Sequence, residues 1–168
     1  SLLILMLTVP KRYIPVFLSK KDKKTVRNEL KKSRSQYKKG KYYTRKKVKS
    51  FKSKVSPHIK RARLLYKVDK IAPTPLLAKK TKCSLKGLKH IFRKGQGAYF
   101  SSGSRPNQTP HSWAYARLAS AISGGKAAAV DFKIIERECS PKSKVYKLAK
   151  NASNKYKRGT RRVKQVKL

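Results

Sequence analysis

Apolar residues in this chain fall into short periodic groups separated by lysine-rich stretches, and the clearest group lies between Thr109 and Gly125. On a helical wheel Ala114, Leu118, Ala121 and Ile122 share one side, flanked by Tyr115 and Ala119, with Trp113, Arg117 and Ser120 opposite. Thr109 offers a capping oxygen, Pro110 suits the first turn, and Gly124-Gly125 suits a left-handed stop. The pattern predicts a helix over Thr109–Ser123, with Leu118 and Ile122 at the centre of a small core.

Weaker periodicities surround it. Ser19 and Asp22 read as a capping box opening a helix that ends near Lys39, where Gly40 stops it. Its apolar stripe, Val26, Leu30 and Tyr37, is narrow. Ser56-Pro57, Thr74-Pro75, Thr109-Pro110 and Ser140-Pro141 each pair a capping residue with a proline fitted to a first turn, so four helices are predicted to start there. Ser84 begins another, with Leu85, Leu88 and Phe92 on its stripe and Gly95 as its stop. Residues 127–138 read as a helix, although 130–134 alternate as a strand would. The class expected is mainly α: a small bundle of short helices with extended basic and apolar arms. The organisation expected is an apolar arm (1–18), a basic helix and Lys-rich arm (19–68), a helical core (69–150) and a basic tail (151–168) that is disordered without a partner.

The run Ser1 to Val9 is almost wholly apolar and is closed by Pro10. About 20 apolar residues are needed to span a membrane, so no transmembrane segment is expected; nor is a secretory leader, since a basic start and a cleavage site are missing. Exposed to water, such a strand would aggregate. Leu2, Leu3, Ile4, Leu5 and Leu7 are therefore expected to contact another protein, with the alternative that they fold back on the 110–123 helix.

Charge changes the picture most. Forty-seven Lys and Arg face six acids in 168 residues, for a net charge of +41. Self-repulsion on this scale opposes compaction and favours a polyanionic partner. Lysine outnumbers arginine well over two to one, which suits diffuse phosphate neutralisation better than bidentate base reading. From Lys41 to Lys54 the text holds no acid and interleaves Tyr42, Tyr43 and Phe51 with bases. The candidate nucleic-acid contacts are Lys38, Lys39, Lys41, Arg45, Lys46, Lys47, Lys49, Lys52, Lys54, Lys60, Arg61 and Arg63; the alternative is a solvated linker.

Catalysis finds little material. His58, His90 and His111 are scattered, no paired carboxylates are in evidence, and Ser123-Gly124-Gly125-Lys126-Ala127 departs from a phosphate loop at its first glycine and its final Ser/Thr. No enzyme activity, metal or cofactor is expected. Cys83 and Cys139 read as two buried or free thiols, consistent with intracellular assembly. Residues 75–94 have the length pattern of a helix-turn-helix, which an ordinary helical hairpin shares. Trp113 and Arg117, four residues apart, permit a cation–π pair that either seals the helix's outer side or anchors a partner.

Residues 17–54, FLSKKDKKTVRNELKKSRSQYKKGKYYTRKKVKSFKSK, resemble a basic segment in proteins of large icosahedral DNA viruses, notably the phycodnavirus type that infects algae. Residues 80–131 resemble the domain that follows it there, and SSGSRPNQTPHSWAYARLASAISGGKA is the specific part. The resemblance implies a virion-associated structural role as a minor capsid protein on the inner side of the shell. Its implied partners are the major capsid protein and other minor capsid proteins, with viral DNA within reach of the Lys-rich segments. No catalytic residues carry over. The alternative from composition is a sequence-nonspecific nucleic-acid-binding protein, either genome-condensing or ribosomal.

Overall fold

The computed structural model describes residues 8–159 and 163–168. Among the described residues eight α-helices carry the fold: α1 (Lys20–Lys38), α2 (Pro57–Tyr66), α3 (Pro75–Thr81), α4 (Leu85–Ser101), α5 (Pro110–Ile122), α6 (Lys126–Val130), α7 (Phe132–Glu138) and α8 (Lys144–Lys155). Two three-residue strands, β1 (Thr8–Pro10) and β2 (Gln165–Lys167), pair antiparallel with Val9 opposite Val166. The protein is mainly α, as the periodicities predict.

The described residues form two compact units. One gathers 8–54, 96–113 and 163–168; the other gathers 55–95 and 114–159. Each unit draws together segments that are distant in the sequence.

The second unit holds the larger core. Leu118 and Ile122 are completely buried there, with Leu77, Leu88, Ile91, Ile135 and Val145. The Thr109 hydroxyl accepts from the Ser112 amide at 3.1 Å, and Gly124 takes up the left-handed conformation (φ +77°) that ends α5. The central helix is therefore capped, stopped and buried as its sequence predicts. Tyr66 donates its hydroxyl to the Ile122 carbonyl at 2.5 Å, which satisfies an orphan carbonyl at that helix end.

Ser56 and Thr74 also cap α2 and α3, through the amides of His58 and Leu77. The fourth Ser/Thr-Pro pair behaves differently. Ser140 accepts from the Lys142 amide in a turn, and α8 starts later, capped by Ser143 on the Tyr146 amide.

Several expectations are corrected. Gly95 does not stop a helix; α4 runs through it to Ser101. Gly95 is there because α5 crosses at that point: a Cβ would lie 2.8 Å from the Ala114 Cα. Residues 127–138 form two helices, broken at Asp131. The described part of the tail is ordered, since α8 reaches Lys155 and β2 pairs with β1. Within the described residues β1 pairs along one edge with this chain's own C-terminal strand, and the Lys11 amide extends the pairing to the Lys164 carbonyl at 2.9 Å. Leu2, Leu3, Ile4, Leu5 and Leu7 lie outside the described residues.

Cys83 and Cys139 are not free thiols. They form a disulfide across 56 residues, tying the end of α3 to the end of α7. Backbone bonds flank it on both sides, Ser84 amide to Glu138 carbonyl at 2.7 Å and Ser140 amide to Lys82 carbonyl at 2.9 Å. Spacing rules aimed at metal sites gave no reason to pair two cysteines so far apart; only the fold brings them together.

Candidate nucleic-acid interface

The candidate interface begins at the end of α1. Gly40 lies in the left-handed region (φ +75°), the Gly40 amide donates to the Tyr37 carbonyl, and the Lys41 amide donates to the Gln36 carbonyl. This paired reverse turn sends the chain back from the helix end. Residues 41–54 then run without regular structure in the same unit as α1.

That segment is not a loose arm. Glu29 of α1 is buried, and its carboxylate accepts from the Tyr43 hydroxyl at 2.9 Å and the Lys46 amide at 2.6 Å. Asn107 acts as a second clamp. Its Oδ1 accepts from the Val48 amide at 2.7 Å, and its Nδ2 donates to the carbonyls of Val48 and Phe51 at 2.9 and 2.8 Å. Asp22 supplies a third, accepting from the Ser50 amide at 2.9 Å and the Ser50 hydroxyl at 2.5 Å. Ser19 caps α1 as its sequence predicts, accepting from the Asp22 amide at 3.1 Å, but the Ser19 amide donates to the Ser50 hydroxyl at 3.1 Å and not to Asp22, so the box closes through the strap.

Three hydrogen-bonding side chains thus fix the backbone of a lysine-rich strap. The Ser50 hydroxyl, followed by the Ser50 amide, holds the Asp22 carboxyl below its ordinary range. Burial, followed by the hydrogen bond to Glu29, raises the Tyr43 hydroxyl.

Of the twelve predicted contacts, eleven are exposed: Lys38, Lys39, Lys41, Lys46, Lys47, Lys49, Lys52, Lys54, Lys60, Arg61 and Arg63. Arg45 is the exception. Its guanidinium donates to the Ser33 hydroxyl at 2.7 Å, the Tyr99 carbonyl at 2.6 Å and the Ser104 hydroxyl at 2.7 Å, and lies 3.7 Å from the centroid of the Tyr99 ring. Burial pushes it below the ordinary guanidinium value. The Arg45 guanidinium is thus engaged within its own unit. Lys60, Arg61 and Arg63 sit on α2 in the second unit, so the stretch read as one arm is divided between units.

The predicted protein contacts Trp113 and Arg117 are engaged within the chain. Trp113 meets the Tyr13 ring edge-on at 5.8 Å. Arg117 makes a two-pronged pair with fully buried Asp131, at 2.9 and 2.7 Å, which Lys94 joins at 3.4 Å.

Most of the scarce acids are engaged in this way. Asp22, Glu29, Asp131 and Glu138 all accept hydrogen bonds from neighbours, Glu138 from the Ser84 hydroxyl at 2.5 Å and from Arg137. Asp69 and Glu136 are exposed. Four of six carboxylates are therefore used within the fold, and the exposed lysines face solvent with little negative charge among them.

Sequence reasoning missed two aromatic residues beside the strap. Tyr37 and Phe100 have parallel rings (3°) with centroids 6.3 Å apart, and Tyr42 packs against Phe100 at 5.1 Å and Tyr37 at 6.2 Å. Tyr37 is visible in the sequence only as the last member of a core stripe; nothing there places Phe100 near it.

Among the described residues, no group of three or more His, Cys, Asp or Glu could hold a metal ion, and no helix is long and apolar enough to cross a membrane. Fold and surface together define a small, mainly helical, strongly cationic protein with a disulfide-linked core. Over residues 10–139 the chain belongs to a family of unknown function, DUF5824. No curated protein and no solved structure matches it significantly.

Proposed function

We propose that this chain is a structural virion protein, a minor capsid component of a large double-stranded DNA virus, whose cationic exterior binds the genome without reading its sequence. One observation carries the reading: the fold consumes four of its six carboxylates on internal hydrogen bonds and leaves eleven bases of the predicted interface exposed. A protein compacted against a net charge of +41 gains from a polyanion, because counterions released from phosphate favour association. The capsid placement rests on the resemblance of residues 17–54 and 80–131 to basic virion-associated proteins.

The strap adds a structural reason. Ordering residues 41–54 with Glu29, Asn107 and Asp22 removes chain entropy before any partner arrives, so bases on the strap need less ordering on binding. A second reading, a genome-condensing or ribosomal protein, shares the same surface and differs in where the protein sits. Particle stoichiometry separates them. A shell component is present in a copy number set by lattice symmetry and stays with the shell after nuclease treatment. A condensing protein follows genome length and leaves with the DNA, and that result would overturn the capsid reading.

A further inference from the structure

The interface has an aromatic face that charge alone does not explain. Tyr42 is 74% exposed and Tyr37 38%, yet neither is a stray surface ring. With Phe100 they form a three-ring cluster with centroid separations of 5.1 to 6.3 Å. The reverse turn at Gly40 creates it by folding Tyr42 back beside Tyr37. The same turn carries Lys38, Lys39 and Lys41, all exposed, and the sequence holds no acid between Glu29 and Asp69.

The other aromatics of the strap are committed elsewhere. Tyr43 bonds Glu29 and has Lys32 Nζ 4.4 Å from its ring centroid, while Phe51 stacks on Phe17 at 5.9 Å. Tyr42 is thus the strap aromatic whose ring is both held by neighbours and open to solvent.

We propose that the Tyr42 ring, backed by Tyr37 and Phe100 and rimmed by Lys38, Lys39 and Lys41, is a stacking platform for an unpaired base of single-stranded nucleic acid. This rests on the polyanion reading and adds a preference among polyanions. In a duplex the base faces are covered by their neighbours, so only backbone charge is available to this surface. In a single strand a base face is free to lie on the ring while the adjacent phosphates meet the lysines, and stacking of this kind is indifferent to base identity. A supported ring loses little freedom on binding, which favours Tyr42 over a tyrosine on a mobile tail.

The test uses the full chain, with its disulfide intact, and measures affinity for an oligothymidylate single strand and for a duplex of equal length. Tyr42→Ala is expected to weaken single-strand binding about 5- to 150-fold, the range one base stacked on an aromatic ring carries, and to leave duplex binding unchanged. Tyr42→Phe keeps the ring and is expected to match the wild type, whereas Tyr42→Leu keeps bulk without the π-face and is expected to behave like Tyr42→Ala. Because Tyr42 is largely exposed, all three variants should melt with the wild type. Equal loss on both ligands, or no loss on either, would overturn the platform while leaving salt-dependent binding intact. Failure of the wild type to bind either ligand would overturn the polyanion reading and the platform together.

Discussion

Asp131 shows how this chain handles a carboxylate among so many cations. Its side chain is wholly buried, and Arg117, itself largely covered, meets it with two hydrogen bonds. Removing one partner of a buried pair leaves an uncompensated charge. Asp131→Asn is therefore expected to cost about 3–5 kcal/mol in urea unfolding. A loss below about 1 kcal/mol, the range of surface pairs, would show that Arg117 finds solvent when released. Asp22 supports a pH prediction. Its folded carboxyl is a stronger acid than in the unfolded chain because Ser50 hydrogen-bonds the ionised form. Stability from such a group is present at neutral pH and is lost as pH falls through the folded value. Acidification below about pH 4 should therefore loosen the strap near Ser50, seen as a titration of the Ser50 amide resonance below the ordinary aspartate range. Titration at the ordinary value would contradict the clamp. Arg45 marks the limit of what sequence tells at this scale. It sits in a run of bases with nothing to distinguish it, and only Ser33, Tyr99 and Ser104, distant in sequence, make it an anchor.

Elements were more legible than their ends. The cap, the proline and the apolar arc over 109–122 specify α5 locally, and its burial follows because that arc has nowhere else to go. Leu118→Ala should cost about 2–5 kcal/mol, read from the denaturant midpoint. What stayed hidden was non-local. Gly95 has the composition of a helix stop, and its real role is room for Ala114. The strap reads as a free arm because its clamps, Glu29 and Asn107, lie outside it. Asn107→Ala removes three of those hydrogen bonds and should accelerate hydrogen exchange at the Val48 amide while leaving the salt dependence of DNA binding unchanged. A changed salt slope would show that strap order, as well as charge, sets the number of phosphates contacted. The disulfide is equally non-local. Closing a loop of this length contributes about 4 kcal/mol in the chain-entropy account, so Cys83→Ser with Cys139→Ser should lower stability on that order, and reductant should no longer affect the melting of the double variant. Equal stability of variant and wild type would mean that the flanking backbone bonds alone hold α3 to α7.

On the scale of the whole molecule, net charge was the most readable property and the fold refines it. Composition alone leaves open whether acids and bases neutralise one another on the surface. The structure gives four of six acids structural hydrogen bonds and leaves Lys38, Lys39, Lys41, Lys46, Lys47, Lys49, Lys52 and Lys54 exposed in one unit. The central claim is that this exterior binds polyanions through phosphate charge. The most direct measurement is duplex DNA affinity as a function of salt, made on two unrelated sequences. If six to ten phosphates are neutralised, affinity should fall by about 10³–10⁵ between 50 and 200 mM salt, with the two sequences bound alike. Binding that ignores salt, or that strongly prefers one sequence, would contradict the account.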